Sequence, residues 1–229
     1  MDKHVYVWRP PESEIRIFAR AGRDAVERRL DGTGIAGLVV HTTTLVPPRV
    51  SLVPFRRTPM ALVSVHGEEA ALAEAGRRLA TLPGTLEGYA VDETVPVPRR
   101  SEAAATLVTL FRRAPRVSPE LFLRRWHEEH TAMTLEIHPV VGYVRNVVRA
   151  PLVPSAAPWD GIVTEDFASL ADLTTLRLFG RGPRALVNVL RIARHVPTFL
   201  DLSTLEAYLT SAHEPLADGG QNTSMTGAQ

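Results

Sequence analysis

The chain contains no cysteine and a single lysine, Lys3, so 25 of its 26 basic residues are arginine. The absence of thiols excludes disulfide frameworks, thiolate metal sites, iron–sulfur clusters and cysteine nucleophiles. With one amine side chain in 229 residues, Schiff-base chemistry has little support as well. A covalent mechanism is therefore not expected, and histidine becomes the main candidate for moving protons near neutral pH.

The chain also lacks a charge bias and a long apolar run. Its 26 basic and 25 acidic residues give a formal net charge of +1, so no global field attracts nucleic acid or an anionic membrane. No stretch reaches the roughly 18 apolar residues of a membrane-spanning helix, and the first 20 residues lack the uninterrupted apolar run of a signal peptide. We therefore expect a cytoplasmic protein with neither nucleic-acid nor membrane partners.

Several motifs that bind cofactors or carry out catalysis are missing. A Gly-x-Gly-x-x-Gly is present at residues 32–37, but it follows a predicted helix and leads into a predicted strand, whereas dinucleotide binding needs a strand before it and a helix after it. There is no Gly-x-x-x-x-Gly-Lys and no Gly-x-Ser-x-Gly, so nucleotide-binding and serine-hydrolase functions lack support. His127 and His130 are three residues apart, whereas helical zinc motifs need His-Glu-x-x-His or His-x-x-Glu-His. Even with His138 as a third ligand we predict no metal site, and no cofactor.

Hydrophobic periodicity predicts the same order of elements twice. Glycine and proline mark the boundaries, and Ser118 followed by Pro119 is typical of a helix start. In the first half the predicted elements are a strand at 4–8, a helix from 13, strands at 37–46 and 59–66, a helix at 68–82 and a strand at 88–97. In the second half they are a strand at 106–111, a helix from 118 to about 134, strands at 142–148 and 161–167, helical segments within 171–193 and a strand at 204–213.

Two βαββαβ units in tandem predict an α+β fold. We expect two ferredoxin-like units that pack sheet to sheet as a pseudo-dimeric α/β barrel and enclose a cavity for a small molecule. The predicted units are residues 1–98 and 106–214, followed by a flexible tail at 215–229.

The second half resembles the EthD-like family of the dimeric α/β-barrel superfamily over residues 106–213. The first half matches only in its order of elements, and the family's Trp-x-x-x-His is missing there. The residues that carry the resemblance are Ser118, Pro119, Glu120, Phe122, Trp126 and His130 in the helix, Gly142, Tyr143, Arg145 and Asn146 in the next strand, Asp160, Gly161, Glu165 and Phe167 in the third, and Phe199 and Asp201 before the last strand.

Two residues are the candidate catalytic groups. His130 lies on the motif helix, where an imidazole can give or take a proton. Trp126, four residues earlier, shares its helical face and supplies an aromatic wall. Glu165 lies mid-strand among apolar neighbours, where a carboxylate must be paired or line a polar cavity. It either orients His130 or forms an ion pair with Arg145.

Further candidates for substrate binding lie on the strands. Tyr143 and Arg145 share one face, whereas Asn146 points to the other, so only one of these sets can face a given cavity. In the first half, His41 and His66 lie at strand positions equivalent to Asn146 and Asp166. Each either reaches the shared cavity and contributes to substrate binding or is a polar residue at the surface or end of a sheet.

The resemblance implies a wide range of activities, because relatives include polyketide cyclases, dehydratases, decarboxylases and cofactor-free monooxygenases. We predict an acid/base cyclase or dehydratase of polyketide-type secondary metabolism, such as antibiotic biosynthesis, acting on a small apolar or aromatic substrate. The alternatives are a cofactor-independent monooxygenase of an aromatic polyketide and a non-catalytic binding or stability partner. Family members dimerise to complete the barrel, so a homodimer is allowed, although a tandem chain can complete it alone.

Overall fold

The computed structural model describes residues 1–11, 15–44, 46–49, 51–99 and 103–214. The predicted start of the first helix at residues 13 and 14 lies outside this set, as does the predicted tail at 215–229.

Eight strands within the described residues close into one antiparallel barrel. Closure leaves no unpaired strand edge, which is the main liability of an open sheet. The mixed α/β fold with an antiparallel barrel agrees with the prediction. The strands are β1 (Asp2–Arg9), β2 (Gly37–Thr43), β3 (Ala61–Gly67), β4 (Thr85–Val97), β5 (Ala105–Arg113), β6 (Val140–Pro151), β7 (Gly161–Phe167) and β8 (Leu200–His213).

The helices lie outside the barrel wall. In the first half they are α1 (Ile15–Leu30) and α2 (Glu69–Leu79), whose buried side chains pack on alternate residues of β1 and β3. In the second half they are α3 (Pro119–Arg124), a π-helical segment (Arg125–His130), α4 (Thr131–Ile137), α5 (Leu170–Thr174), a 3-10 turn (Leu176–Phe179), α6 (Arg184–His195) and a 3-10 turn (Val196–Thr198).

The strand order around the barrel is β1-β3-β2-β8-β5-β7-β6-β4. Each half therefore forms four adjacent strands in the same relative order, with its last strand beside its first. The halves join edge to edge, because β2 pairs with β8 and β4 pairs with β6. This contrasts with the expectation of two sheets stacked face to face, since pairing at both edges merges them into one wall.

Side chains fill the interior of the barrel. Its middle is apolar and includes Val5, Leu62, Val108 and Ile162, each at 0% exposure. One end is closed by Arg9, which forms ion pairs with carboxylates of both halves. Its Nη1 lies 2.8 Å from Glu87 and its Nη2 lies 2.9 Å from Glu206. The buried charges at this end are thus paired, as a low-dielectric interior requires.

The motif helix begins as the sequence predicts. Ser118 accepts a hydrogen bond on its side chain from the Leu121 N–H at 3.2 Å, and Pro119 occupies the first helical position. The helix then widens, because the Thr131 N–H bonds to the carbonyl of Trp126, five residues back. The Thr131 hydroxyl donates to the same carbonyl at 2.9 Å. Such π-helical turns are rare in proteins, and those that do occur are often found at functional sites.

Candidate functional site

A cavity of about 440 Å³ lies between the outer face of the C-terminal sheet and the helices that cover it. Strands β5, β7 and β8 form its floor, and α6 forms part of its roof through Val189 and Ile192. Its lining is mostly apolar, and its ionisable side chains are His130, His138, Glu165 and Tyr143. This combination of apolar walls and few polar groups is typical of a small-molecule site.

The position of this cavity corrects the expectation of a site enclosed between the two sheets. Edge pairing makes a narrow barrel whose interior is filled by large side chains such as Tyr89 and Tyr208, each 1% exposed. Space is left instead outside the wall of the second half. There, Val189 and Ile192 of α6 line the cavity and also pack against the apolar cluster that contains Leu107 and Ala207 of the strands.

Trp126 and His130 both line the cavity, and the π-helical segment positions them. Trp126 is buried, and its ring packs edge-on against Phe111 at 4.9 Å between centroids and tilted against Phe122 at 5.4 Å. These aromatic contacts fix the indole as a rigid wall. The shared face predicted from the four-residue spacing is therefore present, although the turn is wider than an α-helix.

His130 is a neutral imidazole in this structure at neutral pH. Its ring stacks on His195 at 5.5 Å and lies 5.2 Å from the ring of Phe199. Burial, with a smaller contribution from the charges of His195 and His138, lowers the pKa of His130 to about 3. Among the described residues, its Nδ1 has no hydrogen-bond partner. This buried nitrogen is a polar atom without compensation in apolar surroundings.

Glu165 lies beside His138 rather than beside either partner considered from the sequence. Its Oε1 is 3.5 Å from Nδ1 of His138, and both side chains are 9% exposed. Arg145 instead donates to the hydroxyls of Thr94 at 3.0 Å and Thr131 at 2.7 Å. Within the described residues, neither the Glu165–His130 pair nor the Glu165–Arg145 pair is formed.

The strand register explains this outcome. Glu165 lies directly opposite Tyr143 across the β6–β7 pair, whereas Arg145 lies opposite Val163 and extends towards the helix. His138 ends α4 and precedes β6, which brings it to the same end of β7 as Glu165.

Tyr143 and Arg145 lie on the outer, helix-covered side of the wall, and Asn146 lies on the inner side, as strand alternation predicts. Tyr143 lines the cavity at 1% exposure. Burial, together with the Glu165 carboxylate, raises the pKa of its hydroxyl above the usual range. Arg145 does not line the cavity, because its guanidinium is engaged by Thr94, Thr131 and the helix backbone.

Asn146, His41 and His66 lie on the inner side of the wall and do not line this cavity. Asn146 donates to the Ile162 carbonyl at 3.1 Å. His41 is 2% exposed, and its Nε2 accepts from Arg99 at 2.6 Å. Burial, followed by the charge of Arg99, lowers the pKa of His41 well below its usual value. The Nε2 of His66 lies 3.0 Å from Glu93 at the same end of the barrel.

His138 was considered from the sequence only as a metal ligand and not as a partner for Glu165. The available signal was the position of His138 just before a strand that pairs with β7.

A loop of the first half also reaches the cavity, through Leu52, Val53 and Pro54, and it was not predicted to do so. No local sequence pattern indicates this contact, because the loop and the cavity belong to different halves of the chain.

Two features are absent from the described residues. No group of three or more histidine, aspartate or glutamate side chains is arranged to hold a metal ion. None of the described helices is long and apolar enough to cross a membrane.

Residues 114–178 match the EthD domain family. This match confirms the resemblance drawn from the sequence, and it covers the motif helix and strands β6 and β7. His130, His138, Tyr143 and Glu165 all lie within the matched residues, whereas most of α6 and all of β8 lie beyond them.

The fold of the whole chain, EthD domain included, is similar to that of solved structures. One is an anthrone oxidase-like protein, with a TM-score of 0.61 and 9% identity, over 93% of this chain and 92% of that one. Another is a proposed monooxygenase from Fusobacterium nucleatum subsp. nucleatum, with a TM-score of 0.53 and 10% identity, over 92% of this chain and 91% of that one. At these identities the similarity concerns the fold alone. None of the curated protein sequences is significantly similar to this chain.

Proposed function

We propose that this chain is an enzyme that removes a proton from a flat, apolar, aromatic substrate of the polyketide type, bound in the cavity of the EthD domain. The observation that carries the proposal is the His138–Glu165 pair, which lies beside a neutral His130 in an apolar cavity of about 440 Å³. A buried carboxylate and imidazole are costly to keep in apolar surroundings unless they are used together.

His138 is the proposed base. The Oε1 of Glu165 lies 3.5 Å from its Nδ1, and its Nε2 is buried without a hydrogen-bond partner among the described residues. The removed proton goes to this Nε2. A carboxylate in this position stabilises the imidazolium that forms, as in acid/base dyads of unrelated enzymes. The proton comes from an acidic carbon next to a carbonyl group or from a phenol.

His130 is the proposed partner of the substrate oxygen. A neutral imidazole carries one N–H group, which can donate a hydrogen bond to a carbonyl oxygen. That hydrogen bond strengthens as negative charge develops on the oxygen of the enolate. Trp126 and Tyr143 shape the pocket around the ring, and the surrounding apolar side chains exclude water.

The first candidate reaction is intramolecular aldol cyclisation or loss of water, for which the enolate is the required intermediate and an acid/base pair suffices. The second is oxygenation of the same enolate or phenolate by molecular oxygen. The aromatic rings of Phe111, Trp126, Phe179 and Phe199 favour the second reaction, since they bind an electron-rich ring and exclude water. The names of the two similar structures, an oxidase-like protein and a proposed monooxygenase, also support testing it.

The test uses anthrone, whose methylene protons are acidic, as a substrate surrogate. Exchange of these protons with deuterated water is followed by nuclear magnetic resonance without oxygen, and oxygen uptake is followed separately in air. The enzyme is expected to accelerate the exchange, and His138→Gln is expected to lower the rate by roughly 10²-fold or more. His213→Gln is the control, because His213 lies on β8 away from the cavity and contacts Glu27.

The two measurements separate the candidates. Exchange without oxygen uptake favours the cyclase or dehydratase, and exchange with uptake favours the monooxygenase. Binding of anthrone without any acceleration of exchange would instead indicate a non-catalytic binding protein and overturn the enzymatic proposal.

We also propose that the two halves, residues 1–98 and 106–214, are ferredoxin-like repeats. The identical relative strand order of the halves supports this organisation. If it is correct, the two halves expressed as separate chains are expected to associate into one barrel, which size-exclusion chromatography of the mixture would test.

A further inference from the structure

A second cavity of about 250 Å³ adjoins the larger one. The two share three wall residues, namely Leu52 and Val53 from the first half and Leu178 from the second. Leu178 is 2% exposed and belongs to the core, whereas Leu52 is 55% exposed. The boundary between the cavities is therefore made of one buried side chain and one exposed loop side chain.

The loop that carries Leu52 and Val53 is held at a defined position. The Arg56 N–H donates to the Ala207 carbonyl at 2.8 Å, and Phe55 forms an isolated bridge with the same residue of β8. Val53 and Phe55 also pack against the apolar cluster under α5. The first half thus supplies a strap across the cavities of the second half, and neither cavity is complete without it.

The second cavity is chemically different from the first. Apart from the shared wall, it is lined by Leu173, Leu176 and three hydroxyl side chains, Ser51, Thr174 and Thr175. No charged side chain is among its described lining residues. The lining therefore fits an uncharged group that is largely aliphatic.

The hydrogen bonds of these hydroxyls indicate which polar group the ligand should carry. Thr174 donates to the Leu170 carbonyl at 2.9 Å and Thr175 donates to the Ala171 carbonyl at 2.7 Å. Their hydrogens are thus used within the protein, and the Thr174 oxygen remains as an acceptor, whereas the Thr175 oxygen already accepts from the Arg177 N–H at 3.2 Å.

The Ser51 oxygen accepts from the Val53 N–H at 3.2 Å, so its hydroxyl hydrogen is left to donate. A hydroxyl group on the ligand can donate to Thr174 and accept from Ser51.

We propose that the two cavities bind two parts of one neutral substrate. The aromatic ring that reacts occupies the larger cavity, and an aliphatic chain that ends in a hydroxyl group occupies the smaller one, passing between Leu52 and Leu178. This inference rests on the proposed function for the ring alone. The preference for a hydroxylated chain follows from the second cavity itself and requires no turnover.

The experiment compares the binding of three fluorescent probes to the full-length protein. They are naphthol, naphthol carrying a hexyl chain, and naphthol carrying a hydroxyhexyl chain, each at the ring position remote from the phenol. The hydroxyhexyl probe is expected to bind at least about tenfold more tightly than naphthol, because several methylene groups leave water. It is also expected to bind no more weakly than the hexyl probe, although it is the more polar of the two.

Two variants fill the second cavity from opposite sides, Thr174→Phe and Ser51→Phe. Each is expected to abolish the advantage of the chain-bearing probes while leaving naphthol affinity within about twofold. The control is Leu170→Phe, which adds a ring to the same helix outside both cavities and is expected to leave the order of affinities unchanged.

The outcomes of the two proposals are distinguishable. If all three probes bind equally, or if Thr174→Phe and Ser51→Phe leave the preference intact, the two-part substrate is excluded even when proton exchange on anthrone is catalysed. If the preference is present and lost in both variants while no exchange is catalysed, the second cavity is supported and the enzymatic proposal fails.

Discussion

The Oε1 atom of Glu165 lies 3.5 Å from Nδ1 of His138, and both residues line one apolar cavity together with His130. Three ionisable groups are thus brought together from a helix end, a π-helical segment and a strand. The two histidines differ in their surroundings, since His138 has a carboxylate 3.5 Å from Nδ1, whereas no carboxylate contacts His130 among the described residues.

Glu165→Gln tests whether the pair acts as a unit. The amide keeps the shape of the side chain but cannot balance the imidazolium that forms on His138 when it accepts a proton. The exchange rate on anthrone is expected to fall by roughly 10²-fold, with naphthol affinity little changed. The double variant with His138→Gln is expected to be no slower than His138→Gln alone, because groups that act together are not additive.

The control for this series is Glu74→Gln, an amide substitution on α2 in the other half of the barrel. It is expected to retain the wild-type rate. Additive losses for Glu165→Gln and His138→Gln would contradict the paired role and leave Glu165 as a structural residue.

Local features of this fold were predictable from the sequence. Ser118 and Pro119 start a helix through interactions within one turn, and strand alternation separates Tyr143 from Asn146 without knowledge of the partner strands. The Glu165–His138 contact was not predictable in this way. It depends on the register of β6 against β7, which is set by the closed barrel and not by any local pattern.

The position of the cavity could not be predicted from local sequence patterns either. Two sheets of the same composition can stack face to face or join at their edges, and their strands have the same alternation in both cases. The choice is made by the β2–β8 and β4–β6 pairings, which join residues far apart in the chain. Once the edges join, His41 and Asn146 face a filled interior, and the space for a ligand lies on the other side of the wall.

The depressed pKa of His130 predicts a loss of stability in mild acid. Between the usual histidine pKa of about 6.5 and the folded value of about 3, the unfolded chain binds a proton that the folded chain does not. The free energy of unfolding is therefore expected to fall as the pH is lowered through this window. His130 is expected to contribute about 1 to 2 kcal/mol of the loss between pH 7.5 and pH 5.

Urea unfolding of the wild type and of His130→Phe at the two pH values measures this contribution. The variant is expected to lose less stability than the wild type by that amount, since phenylalanine cannot titrate. His213→Gln, which changes an exposed histidine, is the matched control. An equal pH dependence in the wild type and in His130→Phe would show that the buried imidazole is not held neutral.

Gly161 begins β7 at a point where the backbone passes close to the rings that form the cavity wall. A Cβ atom there would lie 2.6 Å from Cζ of Phe111 and 2.7 Å from Cη2 of Trp126. Both rings are held by aromatic packing, so Gly161→Ala is expected to destabilise the protein by about 1 to 3 kcal/mol. It is also expected to weaken naphthol binding, because both rings line the cavity.

Gly37→Ala is the matched control for this change, at the start of β2. Its Cβ would meet nothing nearer than Nδ1 of His66 at 3.4 Å, an ordinary contact. Its effect on stability is expected to stay within about 0.5 kcal/mol. Thermal unfolding and probe titration of the two variants check both parts of the prediction. If Gly161→Ala loses stability but binds naphthol as the wild type does, the packing of these two rings does not determine ligand binding.

Arg99 holds together the buried polar cluster at the inner end of the barrel. Its Nε lies 3.2 Å from Oδ2 of Asp166, which is 1% exposed, and its Nη2 donates to His41. Thr106 donates to the other oxygen of Asp166 at 2.5 Å. Arg99→Met leaves this carboxylate without a paired cation among the described residues and is expected to cost about 3 to 5 kcal/mol of stability.

The pH dependence of the same variant gives an independent check. Burial already raises the pKa of Asp166, and Arg99 opposes that shift, so its removal raises the pKa further. A group whose folded pKa lies above its unfolded value stabilises the fold at low pH and loses that contribution as the pH rises. The stability deficit of Arg99→Met relative to the wild type is therefore expected to shrink as the pH is lowered towards 5.

Adding Asp166→Asn to Arg99→Met is expected to recover part of the lost stability and to remove this pH dependence, because the amide carries no charge to bury. A deficit that is independent of pH would show that Arg99 acts by packing alone.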